Sequence, residues 1–416
     1  MRVLTADIGT GTQDILLFDS EKEAENSLVL VMPSPTQIIA EKIKKATDAG
    51  KAIVLTGNLM GGGPCAKAIK THLREGLSVY ATKKAALTLH DSLEKVQAFG
   101  VQLVSEEEAR QILAGRDTKN IPKNKTNDEN IPKNRTKDEN IPKNKTNNIS
   151  KNNDNYQEGE AALEIVMRDF DPEAVSAAFT HFGVELPSNL ALALQDHGES
   201  PDKSNRVYRF ELMREFIDKG GELKHFVYTS EEIPQAFTRI RAQAKALEES
   251  LPGTRAVFMD TGPAAIFGGL LDPAAAQPSL VVNIGNGHTL GAVVLENRVT
   301  ALFEHHTSRL DAKKLQDYII RLADGKLGFE EVFEDMGHGA YIKEAPGFSN
   351  IRSVMVTGPK RELLEKLPAG EIEAGLVTKL HFAAPFGNMM LSGSFGLLKG
   401  FLEKYPEPSV KLSSYQ

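Results

Sequence analysis

The chain reads as an α/β protein of two lobes, each a mixed sheet with flanking helices. Three observations carry that reading. Short apolar runs alternate with stretches of helical period along most of the chain. A glycine-punctuated hairpin opens it, and a second copy of that hairpin follows 276 residues later.

Composition agrees with a large folded body. The 416 residues are 41% hydrophobic and 25% charged, enough for a sizeable core and for two domains or one two-lobed domain. A net charge of −7 argues against nucleic acid as the main partner, since that would favour a basic face. The single cysteine, Cys65, excludes an intrachain disulfide framework and any iron–sulfur cluster held by three or four of its thiolates. No apolar run reaches about eighteen residues, so no membrane span is expected. Strand pattern begins at Arg2 with no apolar leader before it, which points to the cytoplasm.

The first hairpin is Ala6-Asp7-Ile8-Gly9-Thr10-Gly11-Thr12-Gln13-Asp14, entered from Val3-Leu4 and left through Ile15-Leu16-Leu17-Phe18. Gly9 and Gly11 allow close backbone approach, so such a turn can present N–H groups and hydroxyls to an anion. Asp7 at its mouth can direct a hydrated Mg²⁺ beside a phosphate. Residues 27–32 read as a third strand, broken by Pro33 and Pro35. A helix follows with Ile38, Ile39, Ile43 and Ala46 on one face and Gly50 as its stop. Then come a buried strand (51–55), a glycine-rich loop (57–64), a helix (64–74) and a strand (77–82).

Residues 116–155 are a different material. A ten-residue unit, NIPKNKTNDE in its first copy, occurs three times from Asn120. Four isoleucines are the only strong apolar residues in the forty, and the net charge is +4, so the segment is expected to be a disordered surface insertion. Helical patterning resumes over 158–185. Residues 189–195 form a buried strand ending in Asp196-His197-Gly198, and helices are expected over 207–226, running into a short strand, and over 231–249. Pro252-Gly253 marks the expected lobe boundary. The domains so read are 1–115 and 158–253 for the N-terminal lobe, 116–157 for the insertion, and 254–416 for the C-terminal lobe.

The second lobe repeats the plan. A strand at 256–259 ends at Asp260, and residues 280–284 lead into Gly285-Asn286-Gly287-His288-Thr289, with strands at 290–295 and 299–303. Asp7-Ile8-Gly9-Thr10-Gly11 and Asn283-Ile284-Gly285-Asn286-Gly287 share three of five residues in the same context. Residues 54–57 and 356–358 look like a further matching pair of strand ends, each closing on Thr-Gly. Two such hairpins can clamp a triphosphate from opposite sides.

This layout resembles the acetate and sugar kinase, Hsp70 and actin superfamily, with the actin-like ATPase fold and its two ribonuclease-H-like lobes. The resemblance implies ATP and Mg²⁺ in an interlobe cleft. Asp7-Ile8-Gly9-Thr10 resembles the first phosphate loop, Asn283 to Thr289 the second, and Val354 to Lys360 the adenosine-binding strand and turn, so that Gly9 to Gln13, Asn283 to Thr289 and Thr357-Gly358 are expected to bind the nucleotide. Asp260-Thr261-Gly262 resembles the element that carries the general base. Asn283 stands where an aspartate is frequent, and Gln13-Asp14 where sugar kinases carry a cation. Whole phrases, IGTGTQDILL (8–17), MGGGP (60–64), LQDHG (194–198) and NIGNGHTLGA (283–292), resemble an uncharacterised archaeal and bacterial family often labelled pyruvate formate-lyase activating enzyme. A radical activase needs three cluster thiolates, which one cysteine cannot supply.

Candidate catalytic residues are therefore Asp7, Asp260 and Asp196, the last as a residue that orients water. A neutral His288 is expected to donate to a phosphate. His305, His306 and His338 lack metal-site spacing in sequence. Gly61-Gly62-Gly63 is a possible anion cradle or lid, and Cys65 a buried small residue. The expected function is an ATP-dependent phosphotransferase or ATPase acting on an unidentified small-molecule or protein acceptor. A nucleotide-controlled scaffold and a phosphohydrolase on the same fold are the alternatives.

Overall fold

The computed structural model describes residues 1–115, 162–198, 204–365, 374–410 and 412. The decapeptide repeat lies outside them. The chain divides into two compact units: Met1–Ile39, Asn58–Cys65 and Met167–Gln416 in the larger, Ala40–Gly57 and Ala66–Val166 in the smaller.

In the larger unit, β1 (Arg2–Ile8), β2 (Thr12–Asp19) and β3 (Leu28–Pro33) form the antiparallel meander expected from the opening residues. Val3, Leu4 and Ala6 of β1 and residues 15–18 of β2 are buried. The register sets Asp7 directly opposite Asp14.

The smaller unit holds its own sheet, ordered β6-β5-β4-β7, from β4 (Ile53–Gly57), β5 (Val79–Thr82), β6 (Gln102–Val104) and β7 (Leu163–Met167). Val54, Tyr80, Val104 and Ile112 are central to its apolar cluster. The helical expectation over 158–185 is corrected here: β7 comes first, and a helix forms only at Pro172–Thr180. In β7, Ile165 and Met167 are buried and Val166 is exposed, a two-residue period too brief to stand out in sequence. The helix starts where Asp171 accepts from Ala174 N and Pro172 takes the first turn.

Three further strands complete the first sheet of the larger unit: β8 (Asn189–Leu194), β9 (Val227–Tyr228) and β10 (Arg255–Met259), in the order β3-β2-β1-β8-β10-β9. β1, β8 and β10 run parallel. The unbroken apolar run of β8 fits a strand flanked on both sides. Residues 256–259, read from sequence with the C-terminal lobe, belong to this first sheet, where Val257 pairs with Ala191. Pro252-Gly253 is only the turn between the Thr238–Ser250 helix and β10. That helix also starts later than expected; residues 231–237 form a turn that still buries Ile233 and Phe237.

The second sheet contains β11 (Ser279–Ile284), β12 (His288–Leu295), β13 (Arg298–His306), β14 (Gly339–Ile342), β15 (Ser353–Thr357) and β16 (Leu380–Phe382), ordered β14-β13-β12-β11-β15-β16. β11, β15 and β16 are parallel, and β11 to β13 form an antiparallel meander. Strand for strand it repeats the first sheet: β11 matches β1, β12 β2, β13 β3, β15 β8 and β16 β10. The counterpart of 356–358 is therefore the end of β8, and the apparent match to 54–57 is overturned, because β4 sits in the other unit. A Thr-Gly pair closes many strands and carries no topology.

Two ribonuclease-H-like sheets with this shared strand order make the chain an α/β protein of the actin-like ATPase fold. The helices after β10 (Thr261–Gly269) and after β16 (Ser392–Lys404) pack on each other at glycines. A Cβ on Gly268 would overlap Ser392 O, and one on Gly396 would overlap Ala264 O.

Candidate functional site

The two hairpins are built alike. Gly9 N donates to Thr12 O at 3.0 Å, and Gly285 N donates to His288 O at 2.9 Å. Beyond each third strand an amide closes the turn from below, Ser34 N onto Gly11 O and Thr307 N onto Gly287 O, both at 3.0 Å. Hydroxyls of the same two residues add a second bond each, to Thr10 O and Gly285 O at 2.8 Å. The turns also meet each other. Gly11 lies against the Asn286 side chain with no room for a Cβ, and Gly287 faces Thr10.

Of the residues expected to grip a ligand, Asp7, Gly9, Thr10, Thr12, Asn283, Gly285, Asn286, Gly287 and His288 line one cleft. The others are turned to support. Gln13 is buried and donates to Pro33 O at 3.0 Å. Thr289 bonds the Thr307 hydroxyl at 3.0 Å, and Thr357 donates to Ser392 Oγ at 2.9 Å. Gly358, at φ +96°, packs on Asn283 and on Ile284 O, a conformation and a closeness that only glycine meets.

Asp7 and Asp14 each keep one buried carboxylate oxygen, Oδ1, without a hydrogen-bond partner. Burial, then the neighbouring Asp14, then Asp260 raise the Asp7 pKa well above the usual carboxylate range. Burial pushes Asp14 up to about 6, with the Thr12 hydroxyl opposing. Two adjacent acids, each with one oxygen that lacks a donor, could hold a hydrated divalent cation, with Asp14, absent from the sequence assignment, beside Asp7. Gly393, at the start of the Ser392–Lys404 helix, lies so close to Asp7 Oδ2 that any Cβ would displace it.

Asp260 and Asp196 are differently placed. Asp260 Oδ1 accepts from Gly262 N and Arg209 Nη2, both at 3.0 Å, while its Oδ2 accepts from Arg209 Nη1 at 2.7 Å and Asp196 N at 3.1 Å. Four donors leave this carboxylate no lone pair for a substrate proton; its roles are to cap the helix and hold Arg209. Asp196 accepts from Gly198 N and Ile240 N, both at 2.9 Å, and burial raises its pKa against those two bonds. Neither carboxylate is among the residues that line the cleft.

Arg209, which sequence reasoning missed, ties this region together. It is 1% exposed and reaches Asp260 and Glu304 at 2.7 Å and Asp196 O at 2.7 Å. It shares a helix face with Met213 and Phe216, so a cation at an apolar position was the available signal. Burial works against the Glu304 charge, but the Arg209 guanidinium outweighs it and holds that carboxyl well below its usual range. Gln195 donates to Glu304 Oε1 at 3.2 Å, and its amide nitrogen lies 2.9 Å from His288 Nδ1. Burial lowers His288 to about 3, so the ring is neutral. His305 is held by Asp335 at 3.0 Å and by His306 O at 3.1 Å.

The glycine loop is occupied by the protein itself. Gly61 N donates to Asp169 Oδ1 at 3.1 Å, and Arg239 clamps that carboxylate at 2.7 Å. Cys65 is fully buried, with its thiol on Gly62 O at 2.8 Å. Among the described residues no helix is long and apolar enough to cross a membrane.

Comparison with solved structures finds the ethanolamine utilization protein EutJ from Carboxydothermus hydrogenoformans at 11% identity, covering 95% of this chain and 89% of that one, with a TM-score of 0.30. It also finds the PilM–PilN type IV pilus biogenesis complex at 14% identity, covering 58% and 90%, with a TM-score of 0.26. Comparison with curated proteins finds no match. The family described as "Putative pyruvate format-lyase activating enzyme (DUF1786)" matches residues 60–127 and 135–363. That match spans most of the chain, including β8, β10 and the second hairpin, and the chain belongs to this family.

Proposed function

We propose that the chain binds Mg·ATP in the cleft between its two hairpins and works as an ATPase. The carrying observation is the pair of matched turns, 276 residues apart in sequence, meeting at Gly11–Asn286 and Thr10–Gly287 with the unpartnered oxygens of Asp7 and Asp14 beside them. Backbone amides and small side chains of residues 9–12 and 285–288 suit the phosphates. Asp7 and Asp14 would hold the ion through water. The ion, when bound, neutralises charge on the phosphates, and the chain's own residues position them. Pro359 lines the cleft, held there by the turn at Gly358, and would border a base and ribose.

Transfer to an acceptor hydroxyl activated by Asp260 is disfavoured, because that carboxylate has all its acceptor positions filled. The same observation favours, as a second reading, a nucleotide-controlled scaffold with slow hydrolysis. The radical chemistry in the family's description does not suit this chain, whose one cysteine is buried on Gly62 O.

Calorimetric titration tests the proposal. ATP or ADP should bind only with Mg²⁺ present, and Asp7→Asn should weaken binding at least tenfold, about 1.4 kcal/mol. Absence of Mg²⁺-dependent binding of either nucleotide would refute it.

A further inference from the structure

Four histidines from separate parts of the chain converge beside the cleft. His197 follows β8, His288 opens β12, His306 ends β13 and His338 precedes β14. The His288 ring centroid lies 4.6 Å from that of His306, 4.9 Å from His338 and 5.5 Å from His197. One ligand nitrogen each from His197, His288 and His338 fall within 4.8 Å of one another. On a tetrahedral ion with bonds of about 2.0–2.1 Å, two imidazole nitrogens stand about 3.4 Å apart. Binding would draw these nitrogens together by at most about 1.4 Å, the difference between 4.8 and 3.4 Å.

The nitrogens are short of partners. His338 is fully buried, and neither of its ring nitrogens makes a hydrogen bond; His288 Nε2 is orphaned as well. A buried polar atom left unsatisfied is a net cost to the fold. Ring stacking alone would be served as well by phenylalanines, without that cost, so packing does not explain why the cluster is made of imidazoles.

A supporting layer is already in place. Glu304 Oε2 stands 3.4 Å from His338 Nδ1, and Arg209 fixes that carboxylate at 2.7 Å. A carboxylate behind a metal-bound imidazole orients the ring and sets its tautomer. On the other side the Gln195 amide meets His288 Nδ1 at 2.9 Å. Turning that amide over presents its oxygen to an Nδ1 proton and frees Nε2 as a donor, in exchange for the Gln195–Glu304 bond.

We propose that His197, His288 and His338 bind one late first-row divalent ion, of the Zn²⁺, Fe²⁺ or Co²⁺ kind, separate from the magnesium site at Asp7. Three neutral nitrogen donors without a thiolate select such ions over Mg²⁺. Three protein ligands leave a coordination position for water or an anionic oxygen. Because His288 also lines the cleft, that position is suited to polarising an oxygen bound there. The inference does not depend on the nucleotide reading.

The test uses the full chain, stripped with chelator and free of nucleotide. Titration with Co²⁺ should give a visible ligand-field band saturating at one equivalent, and Zn²⁺ should raise the melting temperature. His197→Gln and His338→Gln should each weaken Co²⁺ binding by about 100-fold. His305→Gln, whose ring is held by Asp335 and His306 O, should bind as wild type. If His338→Gln does not fold, the less buried His197→Gln decides alone. No band at stoichiometric Co²⁺, or wild-type affinity in His197→Gln, would overturn the site. Mg·ATP titrations on the same stripped protein report the nucleotide reading independently.

Discussion

Asp7 and Asp14 face one another across β1 and β2, each with an oxygen that no protein group satisfies. Their folded pKa values lie above those of an unfolded carboxyl, Asp14 at about 6. The apo fold therefore takes up protons. For Asp14 the stability this brings is fully present below about pH 4 and is lost as pH rises through about 6. A divalent ion competes with those protons, so Mg²⁺ should raise the melting temperature more at about pH 7.5 than at about pH 5. Asp14→Asn should raise the melting temperature of the apo protein at the higher pH and flatten this dependence. Equal Mg²⁺ shifts at both pH values in the wild type would remove Asp14 from the ion site. Asp7 was legible in the sequence because an acid beside Gly-x-Gly in a repeated block has a recognisable chemistry. Asp14 was not, because its partner is set by strand register; its counterpart in the second hairpin, Leu290, gives no hint of a charge. Arg209, Glu304 and His338 were out of reach for the same reason, since each acquires its role only from residues about a hundred positions away or from a ring on another strand.

At the scale of elements, the helices Thr261–Gly269 and Ser392–Lys404 cross at a contact that admits no side chain. Gly268 meets Ser392 O and Gly396 meets Ala264 O. These glycines have ordinary helical φ, so their role is closeness and not conformational freedom. Gly268→Ala should destabilise the protein by about 3 kcal/mol or more, because backbone on both helices must shift. Gly328→Ala, where nothing lies within 4 Å, should change stability by no more than about 0.5 kcal/mol. Urea unfolding of both variants makes the comparison, and equal stabilities would show that the crossing can relax. The closeness of this crossing was not legible in sequence, because a small residue does not name the backbone it packs against. The hairpins were legible because apolar alternation and glycine turns are local signals. β7 and β10 were misread because a five-residue strand has no lasting period and because a Pro-Gly turn does not say which sheet the next strand enters.

For the whole molecule, the larger unit holds two sheets with two apolar clusters, and the smaller unit has a sheet and a cluster of its own. Ile8, Leu192, Phe258 and Phe395 belong to one cluster of the larger unit, Val282, Phe303 and Ile319 to its other, and Val54, Tyr80 and Val104 to that of the smaller. The smaller unit interrupts the larger one in sequence, entering after Ile39 and leaving before Met167 apart from residues 58–65. Separate cores give separate cooperative transitions when neither depends on the other for burial. Every residue that lines the proposed nucleotide cleft lies in the larger unit. Scanning calorimetry should therefore resolve two transitions, and saturating Mg·ATP should move only one. At a free ligand concentration about 100 times its dissociation constant, the stabilisation is about 2.7 kcal/mol. The unit that moves can be identified with Asp14→Asn, which alters the apo melting of the larger unit, and with Tyr80→Ala, which empties the core of the smaller one. A ligand shift confined to the transition that responds to Tyr80→Ala would move the binding site out of the hairpin cleft. A single transition shifted as a whole would mean that nucleotide binding is linked to the folding of both units.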